Sequence, residues 1–156
     1  TCTRMNFLHI LHYTGVGCRW LLALVFLSAG LPKLFDLNRF GETVAAYGLI
    51  PDALVIPVAF IIVILEIAAG VGLLFRQKWA LALTALLLLM FIGVLSYGMW
   101  LGLDIDCGCF GPEDPEAHAF AGLRTALVRD ILLLLPLGYL YFQPFFTSLL
   151  PKGVSR

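Results

Sequence analysis

Two cysteines one residue apart, Cys107 and Cys109, are the side chains in this sequence best suited to covalent chemistry. They sit in the string Asp106-Cys107-Gly108-Cys109-Phe110-Gly111, followed by Pro112. In an extended strand, residues i and i+2 share a face but stand too far apart for a relaxed disulfide, whose Cα atoms are usually about 4.4–6.8 Å apart. The chain must fold back, and Gly108 allows the unusual backbone angles that this requires. So tight a bridge would be strained, and strained, exposed disulfides are the labile or catalytic ones. Redox exchange is therefore the first reading. A structural bridge that pins the loop is the second. A metal site built on Cys107, Cys109 and either His118 or Asp106 is the third, but it lacks a clear fourth ligand for tetrahedral coordination, and no metal ligand is assigned. Asp104 and Asp106 disfavour a thiolate beside them; Lys33, Arg124 and Arg129 are the cations that could offset this.

The elements that must position these cysteines are set by composition. Of 156 residues, 61% are hydrophobic and only 13% charged, and the mean hydropathy is +0.97. Soluble domains average roughly 45–50% apolar and about 25% charged, so the chain is too apolar for a solvated globule. It is equally unlike a disordered or disulfide-scaffold protein. A formal net charge of zero argues against nucleic acid as a partner. A bilayer core needs roughly 20 apolar residues per helix. Four such segments are predicted, at about 18–35, 54–75, 79–103 and 122–142. The fourth is the weakest, because Arg124, Arg129 and Asp130 fall in its first half. The expectation is an all-α integral membrane four-helix bundle over residues 18–142. An interfacial segment (1–17) would precede it and a tail (143–156) would follow. The first span is not expected to be a cleaved signal, since no small-residue cleavage site follows it.

Orientation follows from the basic residues. With four spans, Arg4, Arg19, Arg76, Lys78, Lys152 and Arg156 share one side with no acidic residue. The opposite side carries Lys33, Arg39, Arg124 and Arg129 among eight acidic residues. The positive-inside rule then puts both termini in the cytoplasm. The Cys-Gly-Cys loop between the third and fourth spans falls outside, in the oxidising compartment of a bacterium.

A second group of residues is expected inside the membrane. Glu66 lies roughly 18 Å into the second span and Arg129 roughly 10 Å into the fourth, at 1.5 Å per residue. An unpaired charge at such depth costs at least about 2.5–3.5 kcal/mol. The expected pairing is Glu66 with Arg129, and Asp130 with Lys33 or another donor; Lys33, near the end of its span, can snorkel. These four residues are either glue between helices or the wall of a polar pocket for a quinone headgroup or proton transfer. Arg19 is expected to anchor the topology, and Cys18 to fill a small apolar gap. Ala29, Gly30, Gly70 and Gly72 are expected at close helix contacts. Trp20, Trp79, Tyr97 and Trp100 are expected near the interfaces.

Together these residues resemble the MauE/DoxX family of small four-helix membrane proteins. The marks are Arg19 and the string 26–34 in the first span, Tyr47-Gly-Leu-Ile-Pro51, Glu66 with Gly70, and Arg129-Asp130. The Asp106–Gly111 string points to the MauE-like branch. The resemblance implies a link to methylamine utilisation, through maturation or transport of the disulfide-rich small subunit of methylamine dehydrogenase. For DoxX relatives it implies quinone-coupled sulfur oxidation. The function expected is a thiol–disulfide redox protein of the bacterial inner membrane. Cys107 and Cys109 would act on a periplasmic protein or small thiol, with a quinone as the candidate carrier. The alternatives are a non-enzymatic maturation or transport factor with a structural bridge, and a metal-handling protein.

Overall fold

In lipid every backbone N–H and C=O must be satisfied within the protein, which leaves long apolar segments only the helix or the closed barrel. The computed structural model takes the helical route in every element among the described residues. Residues 2–102 and 119–149 are described, with side chains over 13–102 and 122–143. The helices are α1 (Cys2–Phe35), α2 (Leu37–Ala46), α3 (Asp52–Leu74), α4 (Lys78–Trp100) and α5 (Ala119–Leu149). Among the described residues, four stretches are long and apolar enough to cross a membrane: Tyr13–Phe35, Asp52–Leu74, Lys78–Trp100 and Gly122–Gln143. They match the four expected spans to within about a turn, except that α1 is continuous from Cys2.

α1 packs against α3 and α5, and α4 packs against the same two helices. The four spans therefore form a ring with α1 diagonal to α4 and α3 diagonal to α5. Leu22, Phe26, Leu73, Leu87, Leu88, Leu133 and Leu137 fill the half of the ring near the α3–α4 turn. Exposed residues along the spans, such as Leu86, Leu89 and Leu135, face outward from the bundle. That is the arrangement expected when the surrounding solvent is lipid. Trp79 and Trp100, at the two ends of α4, are also exposed. Cys18 is half-buried against the main core.

α2 is the element that the hydropathy pattern does not reveal. α1 ends at Phe35, and Asp36 breaks the helix: its N–H still donates to the Pro32 carbonyl, while its carboxylate caps the new helix by accepting from the Arg39 N–H at 3.2 Å. α2 then lies along the first half of α3, with Phe40 packed into Ala59 and Val63. A Cβ on Gly41 would come within 2.6 Å of the Ile56 side chain. α2 thus takes over, alongside α3, the place that α1 vacates. Gly48, at φ +64°, closes the turn that follows α2.

Candidate functional site

The site begins with a close helix contact. A Cβ on Gly70 would meet Leu27 Cγ at 2.8 Å and the Ala23 carbonyl oxygen at 3.2 Å. One on Gly30 would meet Ile67 Cγ1 at 3.1 Å and Glu66 Cβ at 3.3 Å. The two glycines let α1 and α3 approach backbone to backbone, as small residues do between membrane helices. One turn beyond Gly30, this proximity delivers Lys33 to Glu66. The Lys33 ammonium donates to Glu66 Oε1 at 2.8 Å and to Oε2 at 3.0 Å, and both side chains are 2% exposed. The Phe40 ring of α2 and the Phe91 ring of α4 lie 4.8 and 5.0 Å from the same ammonium, each a cation–π contact.

The second pair lies on α5. Arg129 Nε donates to Asp130 Oδ1 at 3.0 Å, and Nη2 lies 2.9 Å from the same oxygen. Asp130 is almost completely buried, and its other oxygen, Oδ2, accepts no hydrogen bond from the described residues. All four charged residues line one cavity of about 200 Å³. Its remaining walls are mostly apolar, with Tyr47, Ile62, Phe91 and Val94 among them. The cavity lies in the half of the bundle away from the α3–α4 turn, where α4 ends at Trp100 and α5 begins at Ala119.

The structure brings together the four charged residues singled out in the sequence. Glu66 makes its ion pair with Lys33, where Arg129 is expected, and Asp130 makes its ion pair with its neighbour Arg129, a donor that the expectation of Lys33 or another donor leaves open. Nor does Lys33 snorkel, being 3% exposed. The cause is the break at Asp36. Glu66 lies about 21 Å along α3 from Asp52 at 1.5 Å per residue, yet it is level with Lys33, two residues from the end of α1. α2 fills the difference, so Lys33 is interior to the bundle although it lies near the end of α1.

The sequence reading does not single out Phe40 or Phe91, and names Tyr47 only within the 47–51 string that carries the resemblance. Phe40 and Tyr47 are seven residues apart, which places them on one side of a helix, and this is the signal that could have found them. Gly98 makes room for the Tyr47 ring, whose Cε1 would stand 2.6 Å from a Cβ there. The expected close contacts at Gly30, Gly70 and Gly72 are present, the last against Trp79 and Ala80 of α4. Among the described residues no three His, Cys, Asp or Glu side chains converge as a metal site would need. Asp106, Cys107, Gly108, Cys109, Phe110, Gly111 and His118 lie outside the described residues.

A family described as methylamine utilisation protein MauE matches residues 9–143 of the chain. The chain is similar to the methylamine utilization protein MauE of Paracoccus denitrificans, with 36% identity over 125 residues, covering 77% of this chain and 67% of that protein. It is similar to the MauE of Methylophilus methylotrophus, with 35% identity over 91 residues, covering 56% and 48% respectively. It is also similar to protein TlpB of Flavobacterium psychrophilum, with 29% identity over 140 residues, covering 83% of this chain and 37% of that protein. The matches thus span from about a third to two thirds of the length of these relatives. No solved structure matches.

Proposed function

The chain belongs to the MauE family, and on that premise we propose that it is a thiol–disulfide redox protein of the bacterial inner membrane that serves methylamine utilisation. Its termini are cytoplasmic, and Cys107 and Cys109 face the periplasm. The cysteines exchange a disulfide with a periplasmic protein or small thiol: a thiolate attacks one sulfur of a disulfide, a mixed disulfide forms, and the second cysteine resolves it. The net exchange moves two electrons and two protons between the partner and the Cys107–Cys109 pair. A lipid-soluble quinone then completes the cycle. Oxidation of the dithiol forms the S–S bond, and the two electrons and two protons reduce a quinone to its hydroquinone; the reverse reaction balances in the same way.

The observation that supports this reading most is the buried polar cavity. Helix glue accounts for an ion pair, but not for a cavity lined by two of them with one buried carboxylate oxygen left without a hydrogen bond from the described residues. Intramembrane ionisable residues mark substrate and proton pathways more often than not. The cavity also occupies the half of the bundle from which residues 103–118, with both cysteines, connect α4 to α5. The six-to-four excess of basic residues on the terminal side supports the orientation.

Replacing Cys107 and Cys109 singly by serine tests the proposal. Loss of the resolving cysteine should trap a mixed disulfide, visible after acid quench on non-reducing gels and identifiable by mass spectrometry. The double variant should trap nothing. The wild-type pair should titrate above about −300 mV, in the labile range. A pair that stays oxidised well below that potential, with no adduct from either single variant, would overturn the redox proposal and leave a non-enzymatic maturation or transport factor with a structural bridge.

A further inference from the structure

We infer that the cavity seats the ring of a lipid-soluble hydroquinone, and that it holds this reduced, hydroxyl-bearing form more tightly than the corresponding quinone. The inference rests on the redox reading above and adds to it the redox state that the site prefers, and with that the direction of electron flow.

The size of the cavity comes first. An apolar cavity of about 150 Å³ holds one benzene molecule; this one, at about 200 Å³, takes one six-membered ring with small substituents. Its walls suit a ring, with Phe40, Phe91 and Tyr47 of α2, α4 and the turn between α2 and α3 among the lining residues. Leu49, half exposed, stands at its rim, where an apolar tail can leave.

The polar chemistry of the α5 wall, at Asp130, is one-sided. Lys33 directs its donors to both oxygens of Glu66, and the two phenyl rings flank it. Arg129 Nε and Nη2 are both turned to Asp130 Oδ1. The buried polar atom left over on the cavity wall is Asp130 Oδ2, which has no hydrogen bond from the described residues. An ionised carboxylate accepts hydrogen bonds and cannot donate them. A quinone presents only carbonyl acceptors, so its oxygen against Oδ2 would leave both unpaired. A hydroquinone presents O–H donors, and a bond from one of them satisfies an atom whose burial is otherwise costly. Tighter binding of the reduced form makes the bound couple a stronger oxidant. Each tenfold preference raises its two-electron midpoint by about 30 mV. The site thereby favours electron flow from the Cys107–Cys109 dithiol to the carrier.

The experiment uses the full chain in lipid nanodiscs under anaerobic conditions, with decylubiquinol and decylubiquinone as probes and equilibrium dialysis as the readout. Decylubiquinol should bind at least tenfold more tightly. In Asp130→Asn an amide can donate to a carbonyl, so the preference should fall below about threefold or reverse. If that variant does not fold, the wild-type ratio decides alone. Dodecanol, which offers a hydroxyl without a ring, should compete poorly. Equal or tighter quinone binding, no saturable binding of either probe, or equal competition by dodecanol overturns the inference. The Cys107→Ser/Cys109→Ser double variant should keep the tenfold preference. Failure of the cysteine chemistry and failure of this site are therefore read separately.

Discussion

Lys33 and Glu66 should behave as a unit whose parts cannot be removed singly. The pair is 2% exposed, doubly hydrogen-bonded and enclosed by two phenyl rings. Removing one member of such a pair leaves an uncompensated buried charge, which typically costs about 3–5 kcal/mol, whereas replacing both by apolar groups of similar volume is often neutral or stabilising. Lys33→Met and Glu66→Gln each keep the length and shape of the side chain, so packing changes little. Lys33→Met also loses two cation–π contacts, each worth roughly 0.5–2 kcal/mol, but a thioether against two rings recovers part of that. Glu66→Gln strands the ammonium between the rings, with an amide oxygen in place of a carboxylate. Both single variants should therefore lose about 3 kcal/mol or more. Lys33→Met/Glu66→Leu should fall within about 1–2 kcal/mol of wild type, and with the Glu66→Leu single variant, which should also lose about 3 kcal/mol or more, closing the cycle, the coupling between the sites should be at least about 2 kcal/mol. The assay is reversible unfolding in mixed detergent micelles, followed by helical circular dichroism. Additive effects, with the double variant as unstable as the sum of the singles, would refute the reasoning. So would single variants within about 0.5 kcal/mol of wild type, since that is the range of substitutions that touch nothing important.

Orientation is checked by labelling. In a Cys2→Ser/Cys18→Ser background, an impermeant maleimide should react with the reduced Cys107–Cys109 pair from outside intact spheroplasts; labelling only after lysis would reverse the topology. Helix contact is checked by two glycine substitutions with opposite expected signs. Gly70→Ala sets a methyl against Leu27 and the Ala23 carbonyl and should destabilise by about 1–3 kcal/mol. Gly138→Ala, with nothing within 4 Å, should stabilise α5 by about 0.5–1 kcal/mol. Detergent unfolding reads both.

The sequence revealed the spans because a bilayer imposes one length and one polarity on whatever crosses it. Leu54 to Phe75 leaves no competing reading, and even the weak fourth span, with Arg129 and Asp130 inside, is a full helix. It revealed which charges are interior for the same reason: Glu66 and Asp130 fall too far from any end to reach water. It did not reveal who pairs with whom. That depends on the relative heights of the helices, and depth counted from each span's own start assumes that all spans start level. The ten residues of α2 break the assumption. Leu37–Ala46 is too short and too polar to register as a span. Its placement beside α3 is fixed by Phe40 and Gly41 meeting Ala59, Val63 and Ile56, contacts that no local pattern announces. The sequence leaves Arg129 unnamed as the donor to Asp130 for a simpler reason. Adjacent residues do not normally face each other on a helix, and only the length of the arginine side chain lets it fold back to its neighbour.

The two ion pairs differ in a way that bears on what the cavity is for. In the first, Lys33 gives hydrogen bonds to both carboxylate oxygens and meets two rings; four of the five helices contribute to it. It ties the end of α1 to α2, α3 and α4 where the helix break would otherwise leave the bundle open. In the second, two donors of Arg129 converge on one oxygen of Asp130 and leave the other without a hydrogen bond from the described residues. A pair evolved only to hold helices together would be expected to resemble the first, because a half-satisfied buried carboxylate weakens the contact it makes. The distribution of apolar packing runs the same way. The main core lies in the half near the α3–α4 turn, while the half holding the ion pairs has two small clusters, around Phe40 and around Leu95, with the cavity lined by residues of both. One half of the bundle supplies the stability. The other keeps a partly unsatisfied polar wall, and on the redox reading proposed above that is the wall against which the carrier is seated.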